Sequence, residues 1–160
     1  MRTVIVLFQG ERLLLLKRAA WKRFAQNRWT GLGGKVEPSE LNNLDASARR
    51  ELFEEADLAP GEVSDLRLLR TLTFYHPIEG LVCLVYYVGE CLADRLPACN
   101  EGTLAWVQPS ELPSLDLIEN TARVLPLLVA DRIAVARSVR SGIASYGKQG
   151  ELQSIVWERD

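Results

Sequence analysis

Hydrophobic residues along this chain fall into two kinds of run. Thr3 to Phe8 and Leu13 to Leu16 are nearly unbroken stretches of β-branched and bulky apolar residues split by Gln9-Gly10-Glu11, which predicts two strands joined by a tight turn. Leu66 to Tyr75 and Leu81 to Val88, separated by His76-Pro77-Ile78-Glu79-Gly80, predict a second pair, with short strands around Trp29 to Leu32 and Leu104 to Val107. Between Leu44 and Ala56 the period changes: Leu44, Ala48, Leu52 and Phe53 recur at helical spacing and form the expected buried face. A second helix is expected over Leu117 to Ala130, bent or interrupted at Pro126, whose ring removes a backbone donor. Gly142 to Tyr146 and Leu152 to Trp157 flank Gly147-Lys148-Gln149-Gly150 and predict a C-terminal hairpin over about 142–157. That hairpin either completes the chain's own sheet or pairs with a second copy, so a homodimer is one open outcome. No repeat, low-complexity tract or linker divides residues 1–160, which read as a single α/β (α+β) domain with a mixed sheet between helices.

Composition narrows the function classes. Of 160 residues, 48% are hydrophobic and 25% charged, the balance of an ordinary globular chain, and the net charge of −2 argues against a nucleic-acid-binding surface. Arg132, Arg137 and Arg140 accordingly read as a solvated face. Cys83, Cys91 and Cys99 form no C-x-x-C pair, so neither a disulfide framework nor a zinc site is indicated. The run Leu81 to Val88 is too short for a membrane span, and the start of the chain has no cleavage site, which makes a cytoplasmic location the default. His76, the single histidine, has no second imidazole with which to bind a transition metal and reads as structural or solvent-facing.

The chemistry concentrates between Gly33 and Leu58. On a helix, Glu51, Glu54 and Glu55 stand at i, i+3 and i+4 and share a face. Two carboxylates about 4 Å apart at an effective dielectric of about 20 repel by roughly 4 kcal/mol, so the cluster invites a cation. Oxygen ligands favour Mg²⁺, Mn²⁺ or Ca²⁺ over zinc. The competing reading is a solvated glutamate face, supported by the i, i+4 spacing of Arg50 and Glu54.

The order of parts weighs against the solvated face. Gly34, Glu40, Arg50, Glu51, Leu52, Glu54, Glu55 and Leu58 resemble the Nudix box, G-x5-E-x7-R-E-U-x-E-E-x-G-U, here spanning 34–58. Two departures stand out. Nine residues separate Glu40 from Arg50 in place of seven, an insertion expected in the loop around Leu41 to Leu44, with Asn43 as N-cap. Asp57 occupies the glycine position at the helix end, where a left-handed conformation is wanted. The resemblance implies a Nudix α/β/α sandwich with a central mixed sheet. It also implies Mg²⁺ or Mn²⁺ held by the Gly34 carbonyl, Glu40, Glu51, Glu54, Glu55 and Glu101, Arg50 orienting a carboxylate, and Glu51 or Glu101 acting as general base.

The segment Arg28 to Val36 and the stretch Glu101 to Pro113 are similar to MutT-type members, which hydrolyse nucleoside triphosphates. Thr30 stands where purine-selective members carry asparagine, which weakens an oxidised-purine assignment. Arg23, Thr30, Lys35 and Asn120 are the candidate substrate-binding residues, and Trp21, Phe24 and Trp29 are divided between base stacking and core. The expected activity is Mg²⁺-dependent hydrolysis of a nucleoside triphosphate to monophosphate and diphosphate. Hydrolysis of another nucleoside diphosphate derivative, or nucleotide binding without turnover, are the alternatives.

Overall fold

The computed structural model describes residues 1–22 and 24–158. Eight strands, β1 (Arg2–Gln9), β2 (Arg12–Arg18), β3 (Trp29–Thr30), β4 (Val63–His76), β5 (Gly80–Cys91), β6 (Gly102–Val107), β7 (Arg140–Tyr146) and β8 (Leu152–Trp157), form one mixed sheet. Its order is β3-β2-β1-β5-β4-β7-β8, with β6 on the other side of β2. β1 runs parallel to β5 and β4 parallel to β7, and the remaining pairs are antiparallel. The C-terminal hairpin therefore completes the chain's own sheet, leaving β8 at its edge.

Unbroken apolar runs in β1 and β2 follow from burial on both faces. Val6, Phe8, Leu13 and Leu15 face one core together with Val124, Leu125 and Leu128 of the helix α2 (Glu119–Ile133). Their neighbours Ile5, Leu7, Leu14 and Leu16 face the other, against Ala48, Leu52 and Ala56 of the helix α1 (Leu44–Ala56). Alternation of side chains across a strand thus serves two helix layers, giving the α/β/α arrangement.

The expectation for α1 needs one correction. Phe53 is exposed, and the buried stripe is Ser47, Ala48, Glu51, Leu52 and Ala56. Small residues at 48 and 56 let the helix approach the sheet closely, which rotates position 53 toward solvent and turns the polar flank of the stripe, Ser47 and Glu51, inward. Pro126 does not interrupt α2: both Pro126 and Ala122, whose carbonyl loses its partner, are exposed, so water can satisfy that oxygen.

The ends of α1 behave as expected. Asn43 Oδ1 accepts the Ala46 N–H at 3.2 Å, and the longer spacer is absorbed before the helix at residues 41–43, where Asn43 N–H donates back to the Glu40 carbonyl at 2.8 Å. Asp57 adopts φ 50° and ψ 38°, while its own N–H and that of Leu58 close back on Phe53 and Leu52 carbonyls.

Two further contacts set up the site. β1 pairs with β2 only near their shared turn; beyond it the segment 32–35 wedges in against β1, with Thr3 N–H donating to the Gly34 carbonyl at 2.8 Å and Ile5 N–H to that of Leu32 at 2.6 Å. On the opposite flank, Arg70 forms a buried pair with Asp131 of α2, at 2.6 and 2.9 Å, and the Trp157 ring of β8 covers its guanidinium at 4.6 Å.

Candidate active site

The glycine wedge meets α1 face to face. Gly33, at φ +123°, donates its N–H to Glu55 Oε2 at 2.8 Å. A Cβ on Gly34 would lie 2.6 to 2.8 Å from the Glu51 carboxylate, so only glycine lets that carboxylate lie against the backbone. The Gly34 carbonyl accepts both the Thr3 N–H at 2.8 Å and the Thr3 hydroxyl at 3.4 Å.

Arg50 holds the acids around it. Its guanidinium donates to both oxygens of Glu40 at 2.8 and 3.0 Å, to Glu51 at 2.9 Å, to Glu54 at 2.8 Å and to the Lys35 carbonyl at 3.0 Å. The Arg50 bonds, with help from the Glu37 N–H, pull the Glu40 carboxyl down to about 2. Burial raises the Glu51 pKa against the pull of Arg50. Glu55 is pushed up to about 7, first by burial and then by the Glu51 charge, with the Gly33 N–H opposing. The upward shifts of Glu51 and Glu55 mark acids whose negative charge is under-compensated, whereas Arg50 fully compensates Glu40. Among the described residues no three acidic, histidine or cysteine side chains converge in metal-binding geometry, because Arg50 draws Glu40, Glu51 and Glu54 to itself while Glu55 turns to Gly33.

Glu101 approaches from the other side of the site, just before β6. Its carboxylate is paired with Lys22, its N–H donates to Cys99 Sγ at 3.3 Å, and its carbonyl accepts the Ala19 N–H at 3.0 Å. Both Lys22 and Arg18 exert a positive pull on Glu55. A basic edge therefore faces the carboxylates of α1.

A cleft of about 750 Å³ opens beside Gly33 and Gly34. Thr30 and Asn120, both nearly buried, line it together with Thr121, Phe74, Val82 and Leu84. Thr30 and Thr121 hydroxyls stand 3.4 Å apart, and Asn120 Oδ1 accepts the Thr121 N–H at 2.7 Å. Lys35 lies outside the cleft with an exposed side chain. Arg23 lies outside the described residues. Trp29 packs on the α2-side core, whereas Trp21 and Phe24 are exposed and Phe24 borders the cleft. His76 Nδ1 accepts the N–H groups of Ile78 and Glu79, a turn-forming role. Arg132 is taken up by Glu90 at 2.8 and 3.0 Å and by the Phe8 ring, whereas Arg137 is solvent-exposed.

A NUDIX domain family model matches residues 1–128. The chain belongs to the NUDIX family. This NUDIX hydrolase is similar to the oxidized purine nucleoside triphosphate hydrolase of Mus musculus, with 27% identity over 128 residues that cover 79% of this chain and 78% of that protein. The MutT protein of Bacillus halodurans has the same fold, with a TM-score of 0.72 and 17% identity, covering 98% of this chain and 96% of that one. The E. coli dihydroneopterin triphosphate pyrophosphohydrolase superposes with a TM-score of 0.65 at 18% identity, over 81% of this chain and 94% of that one. Among the described residues no helix of the NUDIX chain is long and apolar enough to cross a membrane.

Some residues of this NUDIX cleft escaped the sequence. Phe74 and Tyr146, whose ring centroids lie 5.0 Å apart, and the turn Gly147 to Gly150 all line it. Nothing in the local pattern of the hairpin distinguishes a cleft wall from a solvent-facing turn; only the parallel pairing of β7 with β4 brings it there.

Proposed function

We propose that this chain is a pyrophosphohydrolase that uses Mg²⁺, or Mn²⁺, to cleave a nucleoside triphosphate into a nucleoside monophosphate and diphosphate. The observation that carries this reading is the cleft itself: it joins the glycine wedge, against which Glu51 and Glu55 lie, to the polar pair Thr30 and Asn120. One end suits phosphates and the other a base.

The residues present fit a hard divalent cation. All the candidate donors are oxygens, and burial leaves Glu51 and Glu55 short of positive charge. Glu51, Glu54, Glu55, Glu40, Glu101 and the Gly34 carbonyl are the groups that would hold it. When bound, it neutralises phosphate oxygens and makes a water more acidic. Arg50 fixes the carboxylates in place through charge-assisted bonds. Either Glu51 or Glu101 takes the proton from the attacking water; each carboxylate is paired, Glu51 with Arg50 and Glu101 with Lys22. Arg18, Arg28 and Phe24 line the cleft and contribute positive charge and an apolar edge for the ligand.

The test is to incubate the protein with Mg²⁺ and a panel of normal and oxidised nucleoside triphosphates, nucleotide sugars and dinucleotides, separating monophosphate and diphosphate products. Diphosphate release from a triphosphate, abolished by Glu54→Gln, is expected. Absence of turnover on every phosphoanhydride, with nucleotide binding unaffected by Glu54→Gln, would sink the proposal. Products containing a sugar phosphate or two monophosphates would move the activity to another class of nucleoside diphosphate derivative.

A further inference from the structure

The family match ends at residue 128, yet the cleft does not. Its outer wall is built by Tyr146 to Gly150, the end of β7 and the turn into β8. This turn is held in several ways. Glu151 accepts the Gln149 N–H at 3.2 Å and packs on Gly147, while Gly150 N–H donates to the Gly147 carbonyl at 3.0 Å. Leu152 N–H donates at 2.8 Å to Glu119, the first residue of α2 and the neighbour of Asn120. The turn is thereby fixed relative to Asn120 and Thr121, across the cleft's polar end. Phe74 and Tyr146, with ring planes at 49°, give the cleft an aromatic side. Lys148 and Gln149 are exposed at the rim, and among the described residues no carboxylate lies in ion-pair range of Lys148.

We propose that the β7–β8 turn is a specificity wall for the nucleoside, with Lys148 and Gln149 reading the outer edge of a base that packs along Phe74 and Tyr146. This rests on the nucleotide-hydrolase reading above and deepens it. Lys148 offers three donors and no acceptor, and Gln149 offers a donor pair and one carbonyl. The edge they fit is one rich in carbonyl oxygens. Because the hairpin lies outside the family's matched segment, nucleoside choice can vary there without disturbing the carboxylates of α1.

The experiment compares the full chain with the double variant Lys148→Ala/Gln149→Ala and with the charge reversal Lys148→Glu. Equilibrium binding and Mg²⁺-dependent hydrolysis are measured on a nucleoside triphosphate panel and on inorganic tripolyphosphate, which has no nucleoside. The expected result is a rise in KM and Kd of about tenfold for the preferred nucleoside triphosphate, larger for Lys148→Glu, with kcat within about twofold and the loss confined to ligands bearing a base. Thermal midpoints should match the parent, since both side chains are exposed. Unchanged ranking of the panel, or equal losses on tripolyphosphate, overturns the wall. Hydrolysis by the parent with unchanged kinetics in both variants overturns the wall and leaves the hydrolase reading standing. Turn-dependent binding without hydrolysis does the reverse. A parent that neither binds nor cleaves nucleotides overturns both.

Discussion

Replacing Asp131 by alanine should destabilise this protein more than any exposed substitution. Asp131 is 9% exposed and Arg70 is 3% exposed, and the two are joined by hydrogen bonds of 2.6 and 2.9 Å between α2 and β4. Removing one partner of such a pair leaves a guanidinium with its charge unmatched in the interior, at a cost of about 3–5 kcal/mol. For a chain of this length each kcal/mol moves the thermal midpoint by roughly 2–4 °C, so a fall of about 6–20 °C is expected by calorimetry or differential scanning fluorimetry. The Trp157 ring over Arg70 trims that figure without cancelling it. Because Trp157 belongs to β8, hydrogen exchange in β7 and β8 should rise before exchange in β1 and β2. The control is Arg70→Met with Asp131→Leu: with no orphaned charge, the double variant should lose less than the single. A midpoint shift under about 2 °C in Asp131→Ala, or a double variant worse than the single, would refute the reasoning.

The remaining predictions concern the glycine wedge, the titrating acids and the helix end. Gly34→Ala would bring a methyl group within 2.6 to 2.8 Å of the Glu51 oxygens, so kcat/KM for triphosphate hydrolysis should fall by about a hundredfold or more while the thermal midpoint drops by only a few degrees; near-parental turnover would exclude the tight packing. The folded pKa of Glu55, about 7, lies above its ordinary value near 4.5, so the native state holds an extra proton between those values. Without divalent ions its stabilising contribution is full below about pH 4.5 and is lost as pH rises through 7, about 3 kcal/mol in all; urea unfolding in chelator should show this slope, and Glu55→Gln should flatten it. Glu40 acts in the opposite sense, its pKa being drawn down to about 2, so its contribution is present above about 4.5 and lost as pH falls toward 2; Glu40→Gln should reduce the acid sensitivity seen there. Asp57 holds a left-handed conformation at φ 50°, and Asp57→Gly should stabilise the protein by about 1 kcal/mol, read as a midpoint rise of roughly 2–4 °C.

Much of the fold and part of the candidate site are legible in local sequence. The helix over Leu44 to Ala56 has the bounds its apolar spacing predicts, and its Asn43 cap and left-handed Asp57 end are both formed, because caps and periodicity are properties of adjacent residues. Phe53 escaped that logic. Which of two neighbouring apolar positions is buried depends on how closely the helix approaches the sheet, and Ala48 and Ala56 set that distance. Pro126 escaped it too, since the cost of a missing donor depends on whether water reaches the freed carbonyl. The spacing of Glu51, Glu54 and Glu55 placed them on one helix, but their different burial, and the rise of Glu55 to about 7, come from the wedge of residues 32–35 that lies directly against the helix.

The sequence by itself determined the strand and helix runs, the spacing of the acids and the family to which the box belongs, all of which follow from short-range periodicity and fixed offsets. Only the tertiary structure decided that Arg50 gathers Glu40, Glu51 and Glu54, that Lys22 meets Glu101, and that the last hairpin walls the cleft beside Asn120. The Glu40 and Lys22 contacts and the hairpin wall join segments distant along the chain, and even the near-neighbour bonds of Arg50 depend on where folding leaves its guanidinium. Charges pair and walls close according to where the sheet order β3-β2-β1-β5-β4-β7-β8 brings them, and that order is set by packing two cores at once.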